Sequence, residues 1–368
     1  MSLTAGRKKY LDAAKGLGIT MIVFGHTTRI GNPLDRYFST YKISIFFLVS
    51  GFLIFMAGSL KKYTLSEYVR KHFQSLLLPY FLYSILIAVF QSLMDLYNGG
   101  TFGQAAEKVA GMGYKCLTFR GYSTMWFLPC LFFGQVLFFW IWKNHSLLAR
   151  IIGIAAACAG TAAFAVLLSH LQKTLDGQTW KFVSYPLLSI GKALMACGFI
   201  AAGYILAILH EKVRNGRIRF AAGAVFSLVP VFGSLHLKGV DLNNLHFGIS
   251  PALFVLCSLT GAAGAIFVLE GLEHWLPMPY LTWAGRNSLV IMATHGTFRI
   301  KNLVRAGWEA MFTVAETAGL RMYLDTAGMV ACIMLMESGV VSIVNRYFPV
   351  LAGKGLRKAG GRMSKKDS

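Results

Sequence analysis

Asp12, Lys15 and His26 lie within one apolar run, Tyr10 to His26. On a helix, residues eleven apart differ by only about 20° around the axis, so Lys15 and His26 share a face. They stand about 16 Å apart along it at the helical rise. Asp12 falls within about 40° of the same stripe, one turn from Lys15 and close enough to pair with it. Ionisable groups at membrane depth are costly and usually face a bundle interior or a cavity. His26 has the side chain best suited to take a proton near neutral pH; its structural alternative is a hydrogen bond to a neighbouring helix. Lys15 can orient a phosphate or stabilise a developing negative charge, or it can snorkel to the interface. Asp12 most simply neutralises Lys15.

Further polar residues punctuate the apolar sequence. Lys61, Lys62, Arg70, Lys71 and His72 crowd the segment 59–75. Arg70 and Lys71, beside the next helix start, can bind phosphates by charge-assisted hydrogen bonds; the alternative is an ordinary basic loop. Lys42, four residues before Phe46-Phe47, should face a cavity, an acid or the interface. Trp126 at a span start belongs to an aromatic belt or lines a binding site. Asn287 and His295 lie roughly two turns apart and only approximately share a face. Together they can complete a polar cavity, with Asn287 as an amide donor to an oxyanion, or serve as a helix cap and an interhelical bond. Glu337, deep in the last apolar helix, can pair with Lys192 or His295. Gly111-Met112-Gly113 lacks the strand–turn–helix context of a phosphate loop. The six cysteines include no C-x-x-C pair, which excludes a zinc ribbon and gives no disulfide framework. No metal site is expected.

The elements that must position these groups follow from composition. The 368 residues are 55% hydrophobic and only 14% charged, with mean hydropathy +0.56. This is an all-α polytopic membrane bundle. At about 20 residues per span, about ten helices fit. The spans fall at about 11–30, 38–58, 76–97, 124–142, 151–169, 187–209, 220–235, 249–269, 285–298 and 325–345. Residues 98–123 and 170–186 are expected to be loops. Basic residues concentrate on one side, predicting both termini inside. Arg7-Lys8-Lys9 precedes the first span, which is expected to act as an uncleaved anchor. Residues 1–348 form the membrane domain, and 349–368 are a basic, Gly-rich tail expected to be disordered. The net charge of +21 is explained by topology and anionic lipid rather than by nucleic acid.

Five stretches, in order, resemble the membrane-bound acyltransferase-3 family, in its branch of sugar O-acetyltransferases related to fucose 4-O-acetylase. The first is Asp12, Lys15, Gly16, Ile19, Val23, Gly25 and His26, similar to a basic-residue-x10-His signature. Phe46-Phe47-Leu48-Val49-Ser50-Gly51-Phe52 resembles F-F-x-x-S-G-[FY]. Arg70-Lys71-His72 leads to Leu78-Pro79-Tyr80, and Met125-Trp126-Phe127-Leu128-Pro129 resembles an L-W-F-L element. Gly285-Arg286-Asn287-Ser288-Leu289, with His295 after it, resembles G-[KR]-N-S-L…H. Two positions depart: Tyr41-Lys42-Ile43-Ser44 stands where the branch often has F-H-M-P, and Asn345-Arg346 where others have a glutamate before a basic residue.

The resemblance implies a multi-pass acyltransferase of the cell (plasma or inner) membrane. It would move acetyl from acetyl-CoA, a co-substrate rather than a bound cofactor, to a hydroxyl of a sugar or envelope glycan. His26, Lys15 and Asp12 would be catalytic. Arg70 and Lys71 would hold the donor, and Lys42, Trp126, Asn287 and His295 the acceptor. Intramembrane charges would equally serve a transporter or flippase for a lipid-linked sugar or small anion.

Overall fold

The computed structural model describes residues 8–28, 32–312 and 319–354. Helix α1 (Lys9–Thr27) leads through α2 (Pro33–Ser39) to α3 (Ser44–Met56). Short helices α4 (Ser59–Lys62) and α5 (Leu65–His72) follow, and a π turn at Phe73–Leu77 joins α5 to α6 (Leu78–Tyr97). Next come α7 (Phe102–Leu117), a 3₁₀ turn at Ser123–Trp126 and α8 (Phe127–Trp142). The long helices α9 (Leu147–Thr174), α10 (Gly177–Lys212) and α11 (Gly216–His236) run on to a small hairpin. In it β1 (Val240–Asp241) pairs antiparallel with β2 (His246–Phe247). The chain finishes with α12 (Pro251–Leu272), α13 (Pro279–Arg286), α14 (Ser288–Thr294), α15 (Ile300–Met311) and α16 (Leu320–Tyr347).

The helix starts are written locally. Thr64 and Thr101 form capping boxes with Glu67 and Gln104. Ser146, Asp176, Asn215 and Ser250 each accept a hydrogen bond from the first turn of the helix they precede. A cap of this kind is worth about 1 kcal/mol. Pro186 and Pro230 sit inside α10 and α11; membrane helices tolerate such breaks because neighbours satisfy the freed backbone groups.

Among the described residues, eight helical segments are long and apolar enough to cross a membrane. The protein is an all-α polytopic bundle. Several expected boundaries change. Helix α1 is not among the eight segments, because its polar stripe interrupts the apolar run. The third span begins at Leu65 rather than about 76, since α5 continues through the π turn into α6. The expected loop 98–123 contains α7, and 170–186 is mostly helical. The expected span 285–298 holds only the end of α13, the short α14 and turns, with a break at Asn287, whose φ of −111° and ψ of 11° leave the helical region. Pro349–Lys354 forms turns, with the Lys354 ammonium on Asn345 Oδ1 at 2.6 Å. Residues 355–368, the rest of the expected tail, lie outside the described residues.

Helix α1 is the hub, packing on α2, α3, α12, α13, α14 and α16. Its closest partner is α13. A Cβ on Gly16 would collide with the Leu281 carbonyl, and one on Gly285 with the Asp12 carbonyl. Lipid supplies no hydrophobic drive between helices, so association relies on such close backbone packing and on interhelical polar contacts. The same interface carries Thr20 Oγ1 3.0 Å from Tyr280 Oη. At its Lys9 end, buried Asp12 meets Lys15 at 3.0 Å and Arg286 at 3.2 Å.

Candidate active site

His26, the penultimate residue of α1, has Nδ1 2.8 Å from Nε2 of His295. His295 closes α14 and is fully buried. Its own Nδ1 lies 2.7 Å from the Ile291 carbonyl, one turn back. A carbonyl only accepts, so His295 Nδ1 carries the hydrogen. In the neutral ring Nε2 is then the acceptor, and His26 Nδ1–H donates to it. The nitrogen of His26 left over, Nε2, bears a lone pair. The rings are nearly parallel, 14° apart with centroids at 5.1 Å.

His26 opens onto a cavity of about 350 Å³. Its walls come from three other stretches: Ser39, Lys42 and Ile43 at the α2–α3 junction, Ser123, Thr124 and Trp126 in the 3₁₀ turn, and Val240–Asn243 in the hairpin. The first two are each fixed by a specific bond. Lys42 Nζ donates to Asp35 Oδ1 at 2.8 Å, and this pair fills the space beside Gly25, next to His26. The backbone is left-handed at Phe119, Gly121 and Ser123, making a tight approach to the 3₁₀ turn. At Gly121 a side chain would also meet the backbone of Trp126. Thr124 Oγ1 donates to the Met292 carbonyl at 2.7 Å, tying the turn to α14. A proton acceptor, a cation and an indole therefore face one small space.

Four of the residues singled out from the sequence, His26, Lys42, Trp126 and His295, meet here. The others do not. Lys15 and Asp12 form the ion pair at the far end of α1, joined by Arg286. Arg70 and Lys71 are exposed, and Lys71 Nζ donates to Tyr63 Oη at 3.3 Å. Neither lines the His26 cavity. Asn287 is no free amide donor. Its Nδ2 donates to the Trp283 carbonyl at 2.9 Å, and its Oδ1 accepts from Asn345 Nδ2 at 2.9 Å; both bonds serve the helix break. Glu337 pairs with neither Lys192 nor His295; its Oε2 accepts from Thr294 Oγ1 at 2.7 Å. Asp35, Ser39, Thr124, Asp241 and Asn243 were not singled out, since short helices, 3₁₀ turns and hairpins of ordinary polar residues carry no periodic signal. A group of acids, histidines and cysteines able to hold a metal is absent among the described residues.

The acyltransferase-domain family matches residues 8–315, most of the chain. The chain belongs to the acyltransferase-3 family. No curated protein matches it. The match takes in α1 through α15 and so all the walls of the His26 cavity. The protein is thus a membrane acyltransferase, which requires an acyl donor and an acceptor. A second cavity of the acyltransferase, about 550 Å³, lies between the α10–α11 and α12–α13 turns. None of the residues singled out lines it. Its carboxylate, Glu270, is already held by Arg219 at 2.9 Å and His210 at 2.8 Å, so the His26 cavity is the better seat for chemistry.

Proposed function

We propose that this acyltransferase moves an acetyl group from acetyl-CoA to a hydroxyl of a sugar or envelope glycan in the cell membrane, with His26 as general base. The observation that carries the reading is the directed hydrogen-bond chain from the Ile291 carbonyl through His295 to His26. It leaves His26 Nε2 as a lone pair at a cavity wall, the form a general base requires.

In this reading the acceptor hydroxyl gives its proton to His26 Nε2 as its oxygen attacks the thioester carbonyl. The imidazolium keeps its Nδ1–H bond to His295. Lys42, steadied by Asp35, faces the negative charge developing on the acyl oxygen. Collapse of the tetrahedral intermediate breaks the carbon–sulfur bond. The CoA thiolate takes the proton back from His26 and leaves as the thiol, and the acceptor leaves as the ester. CoA carries its thioester on a long flexible arm. Its phosphates near the Lys15 end and its thioester near His26, about 16 Å along the helix, are compatible. Arg70 and Lys71, exposed on α5, would contribute longer-range attraction for those phosphates.

The test compares O-acetyl signals, by NMR, in glycans from cells with the intact protein, without it, and with His26→Ala at equal membrane levels. Loss of the signals in the last two supports the reading, and the shifted resonances name the acceptor position. Equal acetylation in all three sinks it.

A further inference from the structure

The wall of the His26 cavity hides two cations that share one neutral acceptor. Lys192, in the middle of α10, is only 1% exposed. Its Nζ donates to Asn243 Oδ1 at 3.2 Å and stands 4.9 Å from the centre of the Trp126 ring. Arg120, before the 3₁₀ turn, donates to that same Oδ1 and, at 3.1 Å, to the Asn243 carbonyl. A further bond reaches Asn244 Oδ1 at 2.7 Å. Lys115 joins the group, its Nζ 5.8 Å from the Tyr185 ring over which Arg120 also sits.

Nothing among the described residues forms an ion pair with Lys192, Arg120 or Lys115. Among the described residues, the one acid whose charge acts on both Lys192 and Arg120 is Asp241, and its oxygens accept from the Asn243 amide at 3.0 Å and Asn244 Nδ2 at 2.6 Å. Three cations against one carboxylate leave an excess of two positive charges. Burying charge without a partner is strongly unfavourable, and two cations converging on one amide oxygen repel each other. Membrane proteins keep such arrangements where a ligand supplies the missing charge. Trp126 and Asn243, which these cations touch, both line the cavity, and the indole offers an apolar face of the kind sugar rings stack on.

We propose that the acceptor is an anionic saccharide, whose carboxylate or phosphate is held by Lys192 and Arg120 while its ring lies on Trp126 and a hydroxyl faces His26. The proposal rests on the acceptor reading of the His26 cavity. It makes the hairpin carrying Asn243 the element that sets specificity. A neutral sugar would leave the cations unanswered.

The test is direct binding to the full chain in phosphatidylcholine nanodiscs, read by saturation-transfer NMR, with glucuronate, glucose 1-phosphate, glucose and inorganic phosphate as probes. Glucuronate and glucose 1-phosphate are expected to bind at least about tenfold more tightly than glucose, as charge-assisted bonds imply, and to weaken with salt. Lys192→Met is expected to remove that preference and Lys192→Arg to keep it. If Lys192→Met fails to fold, Arg120→Gln, at a half-buried site, gives the same reading. Binding must persist in His26→Ala, which separates this proposal from the acetylation reading. Equal binding of glucose and glucuronate, or a preference unchanged by Lys192→Met or Arg120→Gln, overturns it. Inorganic phosphate binding as tightly as glucose 1-phosphate means an adventitious ion only, and overturns the saccharide assignment.

Discussion

His295 accepts a hydrogen bond from His26 at 2.8 Å while donating its own ring hydrogen to the Ile291 carbonyl at 2.7 Å. The second bond sets the direction of the first. A buried ring whose one nitrogen must donate to a carbonyl has only its other nitrogen to offer. His26 is thereby held in one tautomer and one orientation, as a base oriented by a third group.

His26→Ala is expected to lower acyl transfer by about 10²- to 10⁴-fold, the usual contribution of a positioned general base. Truncation leaves the buried His295 Nε2 without its donor, so a loss of about 1 kcal/mol in stability is expected beside it. CoA thiol release in purified membranes measures the rate, and thermal unfolding checks the fold. A variant that folds and retains full thiol release with acceptor present excludes His26 as the base.

His295 works through His26, so its variants should separate by hydrogen bonding. His295→Ala removes the acceptor for His26 Nδ1–H and is expected to lower kcat by up to about 10²-fold, the cost of a misplaced group. His295→Gln presents an oxygen that can accept from His26 and should recover part of the rate. Acceptor KM should move little in both. A merely structural His295 would instead give parallel losses of stability and activity, with no recovery in the glutamine variant.

Much of this was legible in the sequence, for a physical reason. Charges in an apolar run stand out by their cost, so Asp12, Lys15, His26 and Lys42 could be picked without a structure. Their pairing could not always be read. Asp12 and Lys15 are neighbours on one turn, whereas Lys42 finds Asp35 across a bend and Asp12 finds Arg286 across the bundle. Helix α7 is amphipathic rather than apolar and carries three glycines, so it does not stand out beside the membrane spans. The break at Asn287 was not legible because the apolar run of α14, Ser288–Thr294, follows the Gly285–Arg286 end of α13 without a proline or a loop between them. Asn243 lies in a three-residue 3₁₀ turn, where nothing but tertiary contact gives it meaning.

The break at Asn287 should be a stability element. Asn345 donates to Asn287 Oδ1 at 2.9 Å. Replacing it by Leu leaves that oxygen without its partner, at a cost of about 1 kcal/mol for a partly buried group. Asn345→Leu is therefore expected to lower the unfolding temperature by a few degrees while transfer per folded molecule is retained, read by thermal unfolding in detergent alongside thiol release. A large loss of kcat with unchanged stability would instead place this pair in the chemistry.

Close packing of α1 on α13 gives the last prediction. A Cβ at Gly285 would enter the backbone of Asp12, so Gly285→Ala must push the two helices apart. Overpacking of this kind costs about 1–3 kcal/mol. It should also disturb the Asp12–Arg286 contact beside it. Gly113 in α7 is the control, because a Cβ there meets open space. Gly113→Ala should be neutral or stabilise by up to about 1 kcal/mol, through helix propensity alone. Thermal unfolding of both variants in the same detergent decides the matter. If Gly285→Ala melts with the parent, the two helices have room to separate and do not fix the position of the residues on α1.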